Sequence, residues 1–175
     1  MEAGSFALTG VAALPNVSVA FPGEHWSDRK ASEDIVPGEA VVPINSGGKL
    51  YMRVAEAADP ITQLAIALRT VQHPDPTGVS GPNEIMNTVI ARGEYVHAYY
   101  SGVFHLTLVT PAAYLPGDLI GWDADGARPT GKGGVGAWAK NASADIDSVF
   151  EVQEFRPYNA SNEGVLTVRS LRGQF

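Results

Sequence analysis

The stretch EYVHAYYSGVFHLTLV, from Glu94 to Val109, carries the clearest sign of the fold. In its first half Tyr95, His97 and Tyr99 fall on one side of an extended chain, and the residues between them fall on the other. An alternation of period two is typical of a half-buried β-strand. After Ser101-Gly102 the apolar residues alternate again. Because Ser-Gly fits a two-residue turn, the stretch predicts two strands joined as a hairpin.

Segments of the same kind lie on both sides of this stretch. Upstream, AVVPI (40–44) and KLYMRVAEA (49–57) flank a turn at Ser46-Gly47-Gly48. Downstream, DSVFEVQEF (147–155) and GVLTVRSL (164–171) are separated by a polar connection. The first two segments predict strands, and the last two predict a final antiparallel pair.

The segment DPITQLAIALRTVQ, residues 59–72, fits two structures. Asp59 followed by a proline is a good helix start, and Ile61, Leu64 and Leu68 would share a helical face. Leu64, Ile66 and Leu68 also alternate as a strand requires. We favour a strand because the neighbouring segments are strands.

The composition agrees with a loop-rich β protein. The chain has 175 residues, of which 19 are glycine and 12 are proline. Long glycine- and proline-rich loops are predicted at His73–Glu84 and Asp123–Gly136. We therefore predict an all-β fold: a small β-barrel, β-tulip or sandwich of short antiparallel strands with at most one short helix.

One phrase occurs twice, as Pro37-Gly38-Glu39 and as Pro116-Gly117-Asp118, each followed by an apolar run. Proline ends the preceding segment, and glycine permits the reversal that begins a new strand. The acid that follows is expected to face water. The repeat predicts two similarly built sheet corners, with chance use of a common turn as the alternative.

The N-terminal residues 1–33 show no sustained period, and Pro15 and Pro22 would break a helix. Phe6, Phe21 and Trp26 are apolar residues without an obvious local partner. We predict an extended N-terminal arm over residues 1–33 that lies on another molecule, followed by a single β domain over residues 34–175. The alternative is that the segment forms an edge strand of its own domain.

Charge and composition argue against several classes of protein. The net charge is −7 and the basic residues are scattered, which disfavours binding of nucleic acid through its phosphates. No apolar run approaches the roughly 20 residues that cross a bilayer. The chain has no cysteine, so disulfides and thiolate chemistry are excluded. The start, MEAGSFALTG, is acidic where a secretory signal is basic.

Two motifs resemble ligand-binding loops but lack their context. The segment GKGGVG, residues 131–136, matches the dinucleotide pattern, and Glu151 follows 20 residues after its first glycine, yet no βαβ series surrounds it. Asp123, Asp125 and Gly126 resemble the start of a calcium loop whose closing glutamate is missing. We predict loops and turns at both places, without a cofactor or a metal.

The histidines and aromatic residues offer weaker candidates. His97 and His105 flank Ser101-Gly102 symmetrically, so the predicted hairpin would place them across from each other without further zinc ligands. No Ser/His/Asp arrangement stands out, and we predict no catalytic residue. Five aromatic residues offer sugar-stacking platforms, although packing on the β faces is the simpler interpretation; they are Tyr95, Tyr99, Tyr100, Trp122 and Trp138.

Four segments in sequence carry a resemblance to a known family. They are VPGEAVVPI (36–44), GKLYMRVAEAADPITQLAIALRTV (48–71), RGEYVHAYYSGVFHLTLV (92–109) and YLPGDLIGWDADG (114–126). In their order and their Gly-acid-strand phrases they resemble the capsid cement, or head decoration, proteins of tailed bacteriophages. The chain departs from that pattern in its first 33 residues and in the loop His73–Glu84.

The resemblance implies a structural protein of the virion, made in the host cytoplasm and bound to the outer surface of the mature capsid. Its partner would be the major capsid protein, and it would assemble as a homo-oligomer, with a trimer favoured. It implies no catalytic residue, cofactor or metal. Phe6, Phe21 and Trp26 become the candidate capsid contacts. The alternative function is a carbohydrate-binding or adhesin-like β module.

Overall fold

The computed structural model describes residues 10–59, 63–69, 87–140 and 148–171. Within these ranges a 3-10 turn at Val11–Ala13 is followed by β-strands. The strands are β1 (Val17–Pro22), β2 (His25–Ala31), β3 (Ala40–Ser46), β4 (Lys49–Val54), β5 (Ala65–Arg69), β6 (Tyr95–Tyr99), β7 (Gly102–Leu106), β8 (Leu119–Asp123), β9 (Ala137–Lys140), β10 (Phe150–Pro157) and β11 (Gly164–Ser170).

The strands form a closed barrel and a separate sheet. The barrel has the order β2-β4-β3-β5-β6 and closes where β6 pairs with β2. The sheet has the order β1-β7-β11-β10-β8-β9 and is antiparallel throughout. In the barrel, β2 and β4 run parallel and the other pairs are antiparallel. The prediction of an all-β protein with a small barrel is confirmed.

Strand β5 is buried on both faces because it lies between two cores. Ala65 and Ala67 belong to the core inside the barrel. Ile66 and Leu68 belong to the core between the barrel and the sheet. Successive side chains point to opposite faces of a strand, so one short strand serves both cores. The strand interpretation of this segment is confirmed for residues 65–69, while residues 60–62 and 70–72 lie outside the described ranges.

The core between barrel and sheet is built on aromatic side chains from three strands of the sheet. Phe150 lies at its centre, with ring centroids 5.8 Å from Phe104 and 5.1 Å from Trp138 in edge-to-face contact. All three side chains are fully buried. Edge-to-face aromatic pairs add about 0.5–1.5 kcal/mol each beyond the burial of their area.

The barrel interior is filled in an unusual way. Several strands contribute alanine to it, namely Ala31, Ala65, Ala67 and Ala98. On the face of β2 that is directed to this core, Trp26 lies opposite Ala98 and Arg29 lies opposite Val96, and Trp26 is partly buried against the core. The Arg29 guanidinium carbon lies 4.2 Å from the Trp26 ring, which in turn stacks at 4.6 Å on Tyr100. Trp26 therefore packs, partly buried, against the barrel core, so it has partners within its own chain, and its assignment as a capsid contact stays a prediction.

The structure corrects the prediction of an extended arm for residues 10–33, the part of that segment that it describes. Strand β1 pairs with β7 at the edge of the sheet, and β2 pairs with β4 and β6 to close the barrel. Val17 is buried in the core between the two layers. The segment lacked a clear period because β1 carries a bulge between Val19 and Phe21 and β2 carries another between Trp26 and Arg29. Residues 1–9, including Phe6, lie outside the described ranges.

The predicted hairpin at Ser101-Gly102 is also wrong. Strands β6 and β7 exist at the expected places, but β6 pairs with β2 and β5 in the barrel, and β7 pairs with β1 and β11 in the sheet. Gly102 has a φ of +131°, and a Cβ there would lie 2.6 Å from the Phe21 carbonyl oxygen. The two residues thus carry the chain from one layer to the other.

The remaining expectations for the second half of the chain have mixed outcomes. The final antiparallel pair is confirmed as β10 and β11. The segment after the glycine-rich loop begins with β9, which pairs with β8 and buries Trp138. The loop His73–Glu84 lies outside the described residues.

Candidate functional site

The repeated phrase forms the same turn in both places. In the first copy Gly38 has a φ of +94°, and the Glu39 N–H donates to the Val36 carbonyl oxygen at 3.1 Å. The Glu39 carboxylate Oε2 in turn accepts from the Val36 N–H at 2.9 Å. The acid therefore closes the turn with two hydrogen bonds to one residue, and β3 begins directly after it.

The second copy repeats this geometry before β8. Gly117 has a φ of +93°, and the Asp118 N–H donates to the Leu115 carbonyl oxygen at 3.0 Å. The Leu115 N–H donates to Asp118 Oδ2 at 2.8 Å. Asp118 also contacts the Lys140 ammonium at 2.9 Å. Partial burial works against ionisation of this carboxyl, but the hydrogen bonds from Lys140 and Leu115 hold its pKa below the usual value.

A third copy precedes β6 and was missed in the sequence. Gly93 has a φ of +90°, the Glu94 N–H donates to the Ala91 carbonyl oxygen at 2.9 Å, and Glu94 Oε2 accepts from the Ala91 N–H at 2.9 Å. Arg92 stands where the other copies have proline. We call these three elements the acid-closed turns. The Gly-acid pair was the signal that could have revealed the third one.

In the first acid-closed turn the carboxylate is buried rather than exposed. Glu39 pairs with the Arg128 guanidinium at 2.7 Å, with side-chain exposures of 9% and 3%. The expectation that this acid faces water is therefore wrong. The Trp138 indole N–H also donates to the Gly38 carbonyl oxygen at 2.8 Å. The turn is thereby joined to both the glycine-rich loop and the core.

Arg128 organises the glycine-rich loop after β8. Its Nε donates to the Gly136 carbonyl oxygen at 2.7 Å, Nη1 donates to Gly133 at 2.8 Å, and Nη2 donates to Val135 at 2.8 Å. Through these hydrogen bonds, the glycines of the segment that matches the dinucleotide pattern surround the Arg128 guanidinium. Asp123 and Asp125 form a local turn, in which the Asp125 N–H donates to Asp123 Oδ1 at 3.0 Å.

The histidines do not form the expected cross-strand pair. His105 lies in the sheet, with Nδ1 2.9 Å from the Thr167 hydroxyl. His97 lies on the barrel, 5.6 Å between ring centroids from His25. Burial, with a smaller effect of the His25 charge, holds the pKa of His97 below its usual value. Within residues 10–59, 63–69, 87–140 and 148–171 no three His, Asp or Glu side chains are grouped to hold a metal ion.

The aromatic residues proposed as sugar platforms do not share one surface. Trp138 is fully buried, and Trp122 lies edge-on to it at 5.4 Å with its indole N–H donating to the Ala55 carbonyl oxygen at 3.2 Å. Tyr99 stacks on His25 on the barrel. Tyr95 is 46% exposed at the start of β6. This arrangement does not support the alternative of a saccharide-binding groove made from these rings.

One face of the six-stranded sheet points away from the barrel, and we call it the open face. Its side chains alternate with the buried ones on β7 and β11. Ser18, His105 and Thr167 lie in register across β1, β7 and β11. In the next row, Phe21 lies opposite Val103. Phe21 is 71% exposed.

A groove of about 360 Å³ runs along the open face. Apolar side chains, hydroxyl groups and the charged Arg156 side chain line it together. Its lining is Leu14, Pro15, Ser18, His105, Thr107, Arg156, Tyr158, Val165 and Thr167. Tyr158 is 53% exposed at its edge. An exposed aromatic ring beside an apolar groove is a feature of protein contact surfaces.

Two further findings bear on the class of protein. No helix in the described part of the chain is long and apolar enough to cross a membrane. In comparisons with known proteins, the chain matches no protein-family model, no curated protein and no solved structure.

Replacing the glycines of the acid-closed turns should lower the free energy of unfolding by different amounts. Gly117→Ala should lower the free energy of unfolding by about 1–2 kcal/mol, since a Cβ disfavours a positive φ. Gly38→Ala should cost at least about 1 kcal/mol more, because its Cβ would lie 2.8 Å from the Asn16 Cβ while the Cβ at Gly117 meets open space. Urea unfolding measures both. Gly133→Ala is the control, having open space and no left-handed φ. Equal losses at Gly38 and Gly117 would contradict the packing argument.

Proposed function

We propose that this protein is a capsid decoration protein of a tailed bacteriophage, which binds the outer surface of the mature shell and stabilises it. The major capsid protein would be its partner, and a homo-oligomer, with a trimer favoured, its working state. The single observation that carries the proposal is that the Gly-acid-strand phrase of the resemblance is a repeated structural unit, the acid-closed turn, which begins β3, β6 and β8.

The open face supplies a contact surface for such a partner. Phe21 is 71% exposed on β1, which is an edge strand of the sheet, and the groove lies farther along the same face. Large exposed aromatic residues are enriched in protein interfaces. We therefore retain Phe21 as the capsid contact and set Trp26 aside.

Stabilisation of the shell would follow from mass action. A protein that binds the intact shell, and does not bind its dissociated subunits, lowers the free energy of the intact state. Each contact can be modest, because the same contact is repeated at every equivalent position of the shell. Each copy has two buried cores, one inside the barrel and one between the barrel and the sheet. These cores make the bound protein rigid, so its contacts with the shell resist deformation.

Replacing Phe21 with serine should weaken attachment to expanded capsids about 10-fold or more, because about 1.5–3 kcal/mol is gained when such a ring is buried in a contact. The melting temperature should change little, because the side chain is exposed. Cosedimentation of purified protein with capsids that lack it measures the binding constant.

The matched control is Val135→Ser, which removes a 63% exposed apolar side chain from the glycine-rich loop. It should leave attachment unchanged. Attachment of the Phe21→Ser protein with unaltered affinity would reject the open face as the contact. The proposed function would be rejected if the unaltered protein failed to bind expanded capsids made of the major capsid protein from the same phage.

A further inference from the structure

Lys132, in the glycine-rich loop, is a half-buried cation without a carboxylate partner among the described residues. Its ammonium donates to the Asn16 side-chain oxygen at 2.6 Å and to the Leu14 carbonyl oxygen at 3.0 Å. Both acceptors are neutral. Burial, together with the positive charge of Arg128, lowers the pKa of Lys132 to about 8.

Lys132 and Arg128 line the same cavity of about 210 Å³. The only carboxylate bonded to either of them within the described ranges is Glu39, which pairs with Arg128. The two cations are thus balanced by one anion. A buried or half-buried charge is normally paired, because removal of its hydration is costly. Among the described residues, the cavity therefore carries one positive charge that no bonded carboxylate balances.

The donors of the two side chains leave room for a ligand. An ammonium has three N–H donors and a guanidinium has five. Two donors of Lys132 and four of Arg128 have acceptors in the structure. One donor on each side chain remains. Asn16 and Asn87 add neutral amides to the wall of the cavity.

We propose that this cavity binds a small oxyanion, a carboxylate or a phosphate group, between Lys132 and Arg128. A water molecule takes about 30 Å³ in the liquid, so the cavity can hold such a group with part of its hydration. The cavity lies between the glycine-rich loop and the segment Leu14–Asn16 that leads into β1. Occupancy would therefore strengthen the link between that loop and the N-terminal strand of the sheet.

The test is a melting experiment at pH 7 in sodium phosphate, sodium acetate or sodium chloride at one ionic strength. A saturable rise of about 5 °C in phosphate or in acetate relative to chloride is expected, as for a ligand in about 100-fold excess over its Kd. A rise in phosphate alone assigns a phosphate site, and a rise in acetate assigns a carboxylate site.

Lys132→Met should abolish the rise, and Lys132→Arg should restore part of it. Lys49→Met, which removes an exposed lysine of β4, should leave it intact. Because phosphate also stabilises proteins by general exclusion, an equal rise in Lys132→Met and in the unaltered protein would overturn the proposal. So would the absence of a saturable rise with both anions. If Lys132→Met does not fold, calorimetric titration of phosphate and acetate into the unaltered and Lys132→Arg proteins decides, and absence of binding rejects the site.

Discussion

A chain that lacks residues 1–31 is expected not to fold. The deletion removes β1, which contributes Val17 to the core between the layers, and β2, which closes the barrel. It also removes Trp26, which is partly buried against the barrel core, and Val17, which is fully buried. Truncation of a single buried side chain costs about 2–5 kcal/mol, and the total stability of a domain is about 5–15 kcal/mol. Circular dichroism and the dispersion of amide proton signals measure the outcome.

The control for the deletion is Phe21→Ser, which alters β1 without removing its pairing with β7 and should retain a dispersed spectrum. A truncated protein with the same spectrum and a cooperative melt would show that the segment is a separable arm, as its sequence alone suggested. Loss of dispersion together with aggregation is expected, because β6, β4 and β7 would each be left with an unpaired edge.

Arg128→Met is expected to lower the free energy of unfolding by about 3–5 kcal/mol, the cost of breaking a buried ion pair from one side. The substitution leaves the Glu39 carboxylate buried without its counter-charge. It also removes the hydrogen bonds to the carbonyl oxygens of Gly133, Val135 and Gly136. Urea unfolding followed by tryptophan fluorescence measures the loss, since Trp138 is bonded to the same turn.

The matched control is Arg156→Met, which breaks an exposed pair with Glu154 whose side chains are 70% and 52% accessible. Exposed ion pairs contribute little to stability because water and salt screen them, so this change should be nearly neutral. The double variant Arg128→Met, Glu39→Gln should recover part of the loss by removing the orphaned charge. A loss below about 1 kcal/mol for Arg128→Met would mean that the pair does not organise the loop.

Several features were predictable because they depend on near neighbours in the chain. Alternating residues predicted β4, β6 and β7, and short apolar segments beside turns predicted β3 and β11, since side-chain period and turn formation are local properties. The Pro-Gly-acid phrase predicted two corners, and the structure forms a turn closed by the acid at each. In such a turn the φ of the glycine and the reach of the carboxylate involve only four residues.

The candidate surface was predictable only in part. Phe21 was singled out for its lack of a local partner, and it is exposed on the open face. Trp26 was singled out for the same reason and is partly buried against the barrel core. The two differ because Trp26 lies opposite Ala98, on the inward face of β2, and that register depends on a bulge and on β6, far along the chain.

The sequence by itself determined that the chain forms short β-strands and where most of them begin, because strand period, glycine φ and turn closure are local properties. Only the tertiary structure decided which strands pair. Ser101-Gly102 joins two layers rather than two paired strands, because β6 pairs with β2 and β5 in the barrel while β7 pairs with β1 and β11 in the sheet. Likewise, the charge of Glu39 is balanced by Arg128, which lies 89 residues away in the chain. The charge of Lys132 is not balanced by any carboxylate of the described residues. Such pairings depend on where folding brings distant residues, and no local pattern records them.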